Sequence, residues 1–333
     1  TTADFNSGKA AIGSGPWRFG EWQRGSFLLL ARNDAWWGPK PAFATARIRV
    51  IANDAARLAA LLANDVDVID AVAPNEMARL RANTALNVVS SPSARVIYLA
   101  LDQANDVSPF VTARDGKPLA ANPLKDARVR QALSAAINRA AIVERILAGA
   151  AAATGQLAVP GQVGYDPDLA PAAYDVAAAR KLLAEAGYAD GFRITLHSPN
   201  NRYVEDDKTA QAVAQFWTRI GLDARVEVMP SNVFFTRAGR REFSAFLIGF
   251  GHSTGDAWPG LSQVVHSFDA TRGLGCLNRA RYAKPAFDAL LEQVRGELRL
   301  DLVERRRLDR SRVLEQDHVV AELRLHRLQG ELA

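Results

Sequence analysis

From Asp126 onward, helical and strand-like periods alternate, and this restricts the chain more than any other feature because such alternation buries its apolar residues best in layered helices and sheets. Val129, Leu133, Ile137 and residues 140–142 form one apolar stripe, with Arg128, Arg130 and Arg139 outside it and Asp126 suited to the N-cap or first turn. A turn-rich stretch carrying Pro160, Gly161, Gly164, Pro167 and Pro171 follows, then a predicted helix over Asp175–Ala186 that Gly187 stops in the C′ position. Phe192–His197 reads as a strand, Asp206–Ile220 as a helix ended by Gly221, and Ala224–Met229 and Phe243–Ile248 as further strands. The fold class expected is α/β, with largely buried sheets.

The part before Asp126 has shorter signals. Phe27–Ala31 and Ala46–Ala52 read as strands separated by Asn33-Asp34 and Gly38-Pro39-Lys40-Pro41. Leu58, Leu61 and Leu62 fall at helical spacing between Asp54, a candidate N-cap, and Ala63. With a strand over Val66–Ala71 they predict a βαβ-like unit. A helix over Asn75–Ala82 and strands over Leu86–Ser90 and Arg95–Leu101 complete this block. Residues 103–123 hold little periodicity and read as a crossover between two lobes, with the first proteolytic cuts expected between Gln103 and Lys125. The expected organisation is a partial first lobe over 1–100, a crossover or hinge over 101–125, a second lobe over 126–292 and a helical tail over 293–333; 333 residues suffice for two such domains.

Charge and composition remove several function classes. The net charge is +5, but much of the excess sits in the Arg305, Arg306, Arg307, Arg310 and Arg312 cluster, which reads as a solvated helical face rather than a nucleic-acid footprint. Cys276 is the single cysteine, so an internal disulfide and a cysteine-rich metal site are excluded. The apolar run from Ala141 to Leu157 is interrupted by Glu144, Arg145, Gly149 and Gly155, short of the roughly 18 residues of a membrane span. The five histidines show no compact metal spacing, and neither a phosphate-binding P-loop nor a G-x-S-x-G elbow occurs. No enzyme, cofactor, metal or nucleic-acid partner is expected.

Residues 13–38, GSGPWRFGEWQRGSFLLLARNDAWWG, carry a more specific pattern. They resemble the G-T-G-P-Y segment and the following R-N-x-x-Y-W-G element of family 5 extracellular solute-binding proteins, the dipeptide-, oligopeptide- and related substrate-binding subunits of ABC importers. Three further blocks stand in the family's order: DARVRQALSAAINR from Asp126, YDVAAARKLLAEAGY from Tyr174, and AQAVAQFWTRIGLDARVEV from Ala210. The resemblance covers about residues 6–292. It implies a periplasmic-binding-protein-like, type II two-lobe architecture, with a partial first lobe and a nearly complete second one. It also implies capture of a peptide-like or other small polar solute between the lobes, delivery to ABC permease subunits, and a periplasmic location, or a cell-surface lipoprotein in a single-membrane bacterium. Members carry more sequence before the G-T-G-P-Y block and an I-P-L-type strand after it, so the chain is expected to be a truncated domain with an atypical terminus that self-associates.

Gly13, Gly15, Trp17, Trp22, Trp36 and Trp37 read chiefly as fold determinants, through tight turns and large apolar area. Two loops of the second lobe are the expected ligand contacts. In the first, Asn200, Asn201, Arg202 and Tyr203 combine hydrogen-bonding groups, a fixed positive charge and an aromatic face. The second offers Phe250, His252, Ser253, Thr254, Asp256 and Trp258 on a glycine-rich backbone. The peptide-binding branch places an acid three positions after an aromatic, to neutralise a peptide's amino terminus. Here Ser253 stands three after Phe250, and Asp256 lies three further on. A periplasmic hydrolase or transferase, and an interaction module using the basic C-terminal helix, are the alternative readings.

Overall fold

A computed structural model of the chain describes residues 2–91, 93–251 and 254–295. His252, Ser253 and the part of the expected tail from 296 onward lie outside the described residues. The chain divides into two compact units between Ala73 and Pro74, ahead of the boundary expected near residue 101.

The first unit opens with α1 (Thr2–Ser7) and builds an antiparallel sheet from β1 (Trp17–Gln23), β2 (Phe27–Arg32) and β3 (Thr45–Arg49), in that order. The G-x-G-P and R-N elements of the sequence pattern meet here. The Asn33 backbone N–H donates to Pro16 O at 2.8 Å, its side-chain amide donates to Gly15 O at 3.1 Å, and Arg18 Nε donates to Asn33 Oδ1 at 2.8 Å. One asparagine therefore ties the entrance of β1 to the exit of β2. α2 (Asp54–Leu62) follows, and its cap is Asn53 rather than Asp54: Asn53 Oδ1 accepts from Ala56 N at 2.9 Å, while Asp54 pairs with Arg57 at 2.7 Å. The strand expected over 66–71 does not form, so there is no βαβ unit. Arg57 instead donates to the carbonyls of Asp70 and Ala71 at 3.2 and 2.8 Å and holds that segment as a loop.

The second unit contains α3 (Met77–Ala82), β4 (Arg95–Leu101), the short β5 (Val111–Thr112), α4 (Ala127–Ala135), α5 (Arg139–Arg145), α6 (Val176–Glu185), β6 (Arg193–Pro199), α7 (Asp206–Arg219), β7 (Asp223–Met229), α8 (Ser231–Gly239) and β8 (Ala245–Gly251). The strand expected at 86–90 is a loop, with Val89 81% exposed. The single long helix expected from Asp126 is two, because Asn138 turns its side chain onto Ala141 N at 2.9 Å and starts α5 afresh. Strand β4, expected in the first lobe, pairs antiparallel with β8 from Arg95↔Gly251 to Leu101↔Ala245.

In this five-stranded sheet β6 is central. It runs parallel to β7 along its whole length, and on its other edge it meets β5 at Arg193 and Ile194 and the parallel β8 at Leu196 and His197. Because side chains alternate across a strand, β8 is buried on both faces. Ala245 and Leu247 join the core of α4, α6 and α7, whereas Phe246 and Ile248 join Phe234 and Ala238 of α8. Trp217 sits at the centre of the larger core, fully buried, with Nε1 donating to Leu133 O at 3.1 Å.

The crossover is not open. Asp102 is buried and accepts from Ala104 N at 2.9 Å, Asn105 Nδ2 at 2.9 Å and Ser108 Oγ at 2.7 Å. Ser108 also reaches Ser244 Oγ at 2.7 Å, and Asn122 Nδ2 donates to the carbonyls of Asp102 and Asn105 at 2.9 and 3.0 Å. The buried polar groups Asp102, Ser108 and Asn122 all find partners, so this turn-rich segment packs as part of the second unit.

Candidate functional site

The chain leaves β6 for β7 through α7 on one face of the sheet, then returns past β6 to β8 through α8 on the other face. In open α/β sheets such a reversal leaves a crevice at the carboxyl ends of the strands, where ligands bind. Both expected loops leave the sheet at those ends, the first after Pro199 and the second after Gly251.

The two loops are joined by Tyr203. Gly249 N–H donates to Tyr203 Oη at 2.8 Å and Tyr203 O–H donates back to Gly249 O at 3.3 Å. Gly249 has to be glycine for this approach: a Cβ there would lie 2.6 Å from Ile97 Cδ1 and 2.8 Å from the Tyr203 ring. The first loop is shaped by Asp206, a buried carboxylate that accepts from the backbone N–H of Arg202, Tyr203 and Asp207 at 3.0, 2.9 and 3.0 Å. Burial pushes its carboxyl above the ordinary aspartate range against those three bonds. Glu205, just before α7, takes a left-handed φ of 52°, which lets the chain turn back onto Asp206.

The other expected residues divide by what they touch. Asn201 Oδ1 accepts from Ser231 N at 2.8 Å and so holds the start of α8. Asn200 and Arg202 are exposed. Phe250 is half-buried and lies on the opposite face of β8 from Tyr203, because Gly249, against which Tyr203 packs, precedes it by one residue. A ligand touching both rings would have to cross the carboxyl end of β8. Asp256 Oδ1 accepts from Trp258 N at 2.8 Å, and Trp258 packs with Leu261 and Phe287 in a separate small core. Thr254 is exposed.

Arg95 and Ile97 of β4 were missed by the sequence reading. Paired with Gly251 and Gly249, they extend the exposed end of the same sheet face over which Tyr203 lies. The guanidinium groups of Arg95 and Arg202 stand 5.9 and 5.7 Å from the centre of the Tyr203 ring. No acidic partner is found for either among the described residues. The only signal for Arg95 is an arginine opening an apolar strand, and the sequence does not say which strand it joins. On the opposite face of β4, Tyr98 is half-buried against the core of Phe246 and Ile248, and desolvation pushes its hydroxyl upward. His197 is fully buried, stacked on Phe243 at 4.3 Å, and its Nε2 lies 3.2 Å from Glu227 Oε2 without hydrogen-bond alignment. Burial lowers its basicity and the nearby Glu227 opposes this, so His197 belongs to the core and not to the loop it precedes.

No group of three or more metal-ligating side chains occurs among the described residues, and no described helix is long and apolar enough to cross a membrane.

Comparison with known proteins shows the family and the fold. The model of bacterial extracellular solute-binding proteins, family 5, middle region, matches residues 1–272. The dipeptide-binding protein of Escherichia coli K12 is 27% identical over 253 residues, 74% of this chain and 43% of that protein. The glutathione-binding protein GsiB of Salmonella paratyphi A is 31% identical over 267 residues, 77% of this chain and 48% of that protein. Among solved structures, the periplasmic binding protein DppA of Helicobacter pylori in complex with the peptide STSA superposes with a TM-score of 0.74 at 24% identity, over 96% of this chain and 55% of that one. NikZ of Campylobacter jejuni, in complex with Ni(L-His), superposes with a TM-score of 0.70 at 22% identity, over 88% of this chain and 56% of that one. These two likenesses show the fold. The chain spans about half the length of the curated relatives it matches. With the family model covering most of its residues, the chain belongs to family 5 of the bacterial extracellular solute-binding proteins.

Proposed function

We propose that the protein to which these residues belong is the substrate-binding component of an ABC importer, which captures a peptide-like or other small polar solute in the periplasm and delivers it to membrane permease subunits. It acts by binding, with no catalysis. The observation that carries this reading is the rim at the carboxyl ends of β6 and β8, where Arg95 and Arg202 flank Tyr203 without an acidic partner among the described residues. Two unpaired guanidinium groups beside an aromatic face suit a carboxylate-bearing solute. The relatives named for dipeptides and glutathione support that chemistry. Asp256, with one oxygen committed to the Trp258 turn, is the weaker anchor for an amine.

Calorimetry of the full-length protein with a set of dipeptides and glutathione tests this. Saturable binding without turnover is expected. Arg202→Gln should weaken a free-carboxylate peptide about tenfold or more, and its carboxamide analogue much less, because a charge-assisted bond contributes about 1.5–3 kcal/mol. Product formation, or equal losses for both ligands, would defeat the reading.

A further inference from the structure

A second concave surface lies at the other end of the sheet. α7 begins beside the carboxyl end of β6 and ends at Arg219, just before β7 starts at Asp223. Its last two turns and α5 enclose a groove of about 320 Å³, at the small end of the roughly 300–1,000 Å³ usual for ligand pockets. Ile142, Ile146 and Phe216 make an apolar floor, and Arg145, Gln215 and Arg219 stand exposed on its rim.

The charge of this groove is one-sided. No acidic side chain lines it. Arginines elsewhere on α4, α5 and α6 are committed. Arg128 pairs with Asp126 at 2.6 Å, Arg139 donates to Ser134 Oγ at 2.8 Å, and Arg180 donates to the Arg219 carbonyl at 2.6 Å. Arg145 and Arg219 make no ion pair or side-chain hydrogen bond among the described residues, and Arg219 rests 5.4 Å from the centre of the Phe216 ring. Asn138, also on the rim, uses Oδ1 to cap α5, which leaves its amide N–H groups free to donate. Every polar group on the rim is therefore able to donate, two of them carry fixed charge, and the surface between them is apolar.

We propose that the groove between α5 and α7 binds a small organic anion that joins a carboxylate to a short apolar chain. The carboxylate is held between Arg145 and Arg219, and the chain covers Ile142, Ile146 and Phe216. A neutral chain of the same length would leave both guanidinium groups without a counter-charge, and an anion without the chain would leave the floor wet. The site is remote from the rim at Tyr203, because α7 separates its own two ends by most of the sheet's length.

Octanoate and its neutral counterpart octanamide are suitable probes, titrated calorimetrically into the full chain. Saturable octanoate binding in the sub-millimolar range is expected, with octanamide about tenfold weaker or more. The exposed double substitution Arg145→Gln/Arg219→Gln should cost octanoate about tenfold and leave octanamide unchanged. Ala212→Glu, on the half-buried wall, should abolish octanoate binding while the thermal midpoint confirms folding. Absence of saturable binding, equal affinity for the two probes, or undiminished octanoate affinity in the double variant would each overturn the proposal.

Discussion

The two sheets of this protein follow the same alternation of side chains and reach different degrees of burial. In the sheet of β1, β2 and β3, no strand residue is buried, and Trp22 and Ile48 are 44% and 54% exposed. Among the described residues of the first unit, Ala60 is the one apolar side chain counted as buried. In the sheet centred on β6, Ala245–Ile248 are each 2% exposed or less, because α7 covers one face and α8 the other. Pattern makes a strand; layers on its faces make a core. The first unit is held mainly by local devices, of which Asn33 between Gly15, Pro16 and Arg18 is the clearest.

The largest expected difference between the units comes from their tryptophans. Trp217→Ala removes a fully buried ring and strands the Leu133 carbonyl, and should destabilise the second unit by about 3–5 kcal/mol. Trp22→Ala, on a half-exposed ring, should cost under about 1.5 kcal/mol by the same area reasoning. Urea unfolding of both variants, followed by hydrogen exchange resolved to each unit, checks this. Equal losses would mean that the first sheet is covered far better than its exposure indicates.

An intermediate effect tests the contact that ties the two loops. Gly249→Ala forces a methyl into Ile97 and the Tyr203 ring and should cost on the order of 1–3 kcal/mol, together with a measurable loss of solute affinity. Gly13→Ala in the first unit meets nothing within 4 Å and should be nearly silent. Thermal melts and calorimetry compare them. A silent Gly249→Ala would remove the loop-to-loop contact from the account of the site.

The smallest effect should be the same in both units. Asn53→Ala and Asn201→Ala each delete a side-chain acceptor at a helix start, worth about 0.5–2 kcal/mol wherever the helix sits. Similar losses would confirm that local capping is indifferent to burial. A much larger loss for Asn201→Ala would show that the start of α8 carries the rim of the site as well.

Where one helix or strand carried its own start, period and stop, the sequence was enough. The stretches expected at 175–186, 206–220 and 224–229 form within a residue or so at either end, with Gly187 and Gly221 both at positive φ after their helices. The family was equally legible, since its motifs are contiguous. Expectations failed where an outcome depended on a partner. Val66–Ala71 has strand-like residues but its backbone is taken by Arg57, and the turn-rich crossover is closed by Ser244, more than a hundred residues away in sequence.

The candidate site divides along the same line. The residues alone indicate that two polar loops follow strands, the second of them glycine-rich, and that Arg202 and Tyr203 stand together in the first. Three-dimensional packing set the rest: β4 lies against β8 and brings Arg95 and Ile97 to that rim, Tyr203 spends its hydroxyl on Gly249, and Asn201, Asp256 and Trp258 serve helix start, turn and core. The reason is physical: turns and helix periods are set by neighbours within a few residues, whereas strand pairing and the face a side chain takes are set by whichever distant segment satisfies the backbone and buries the surface.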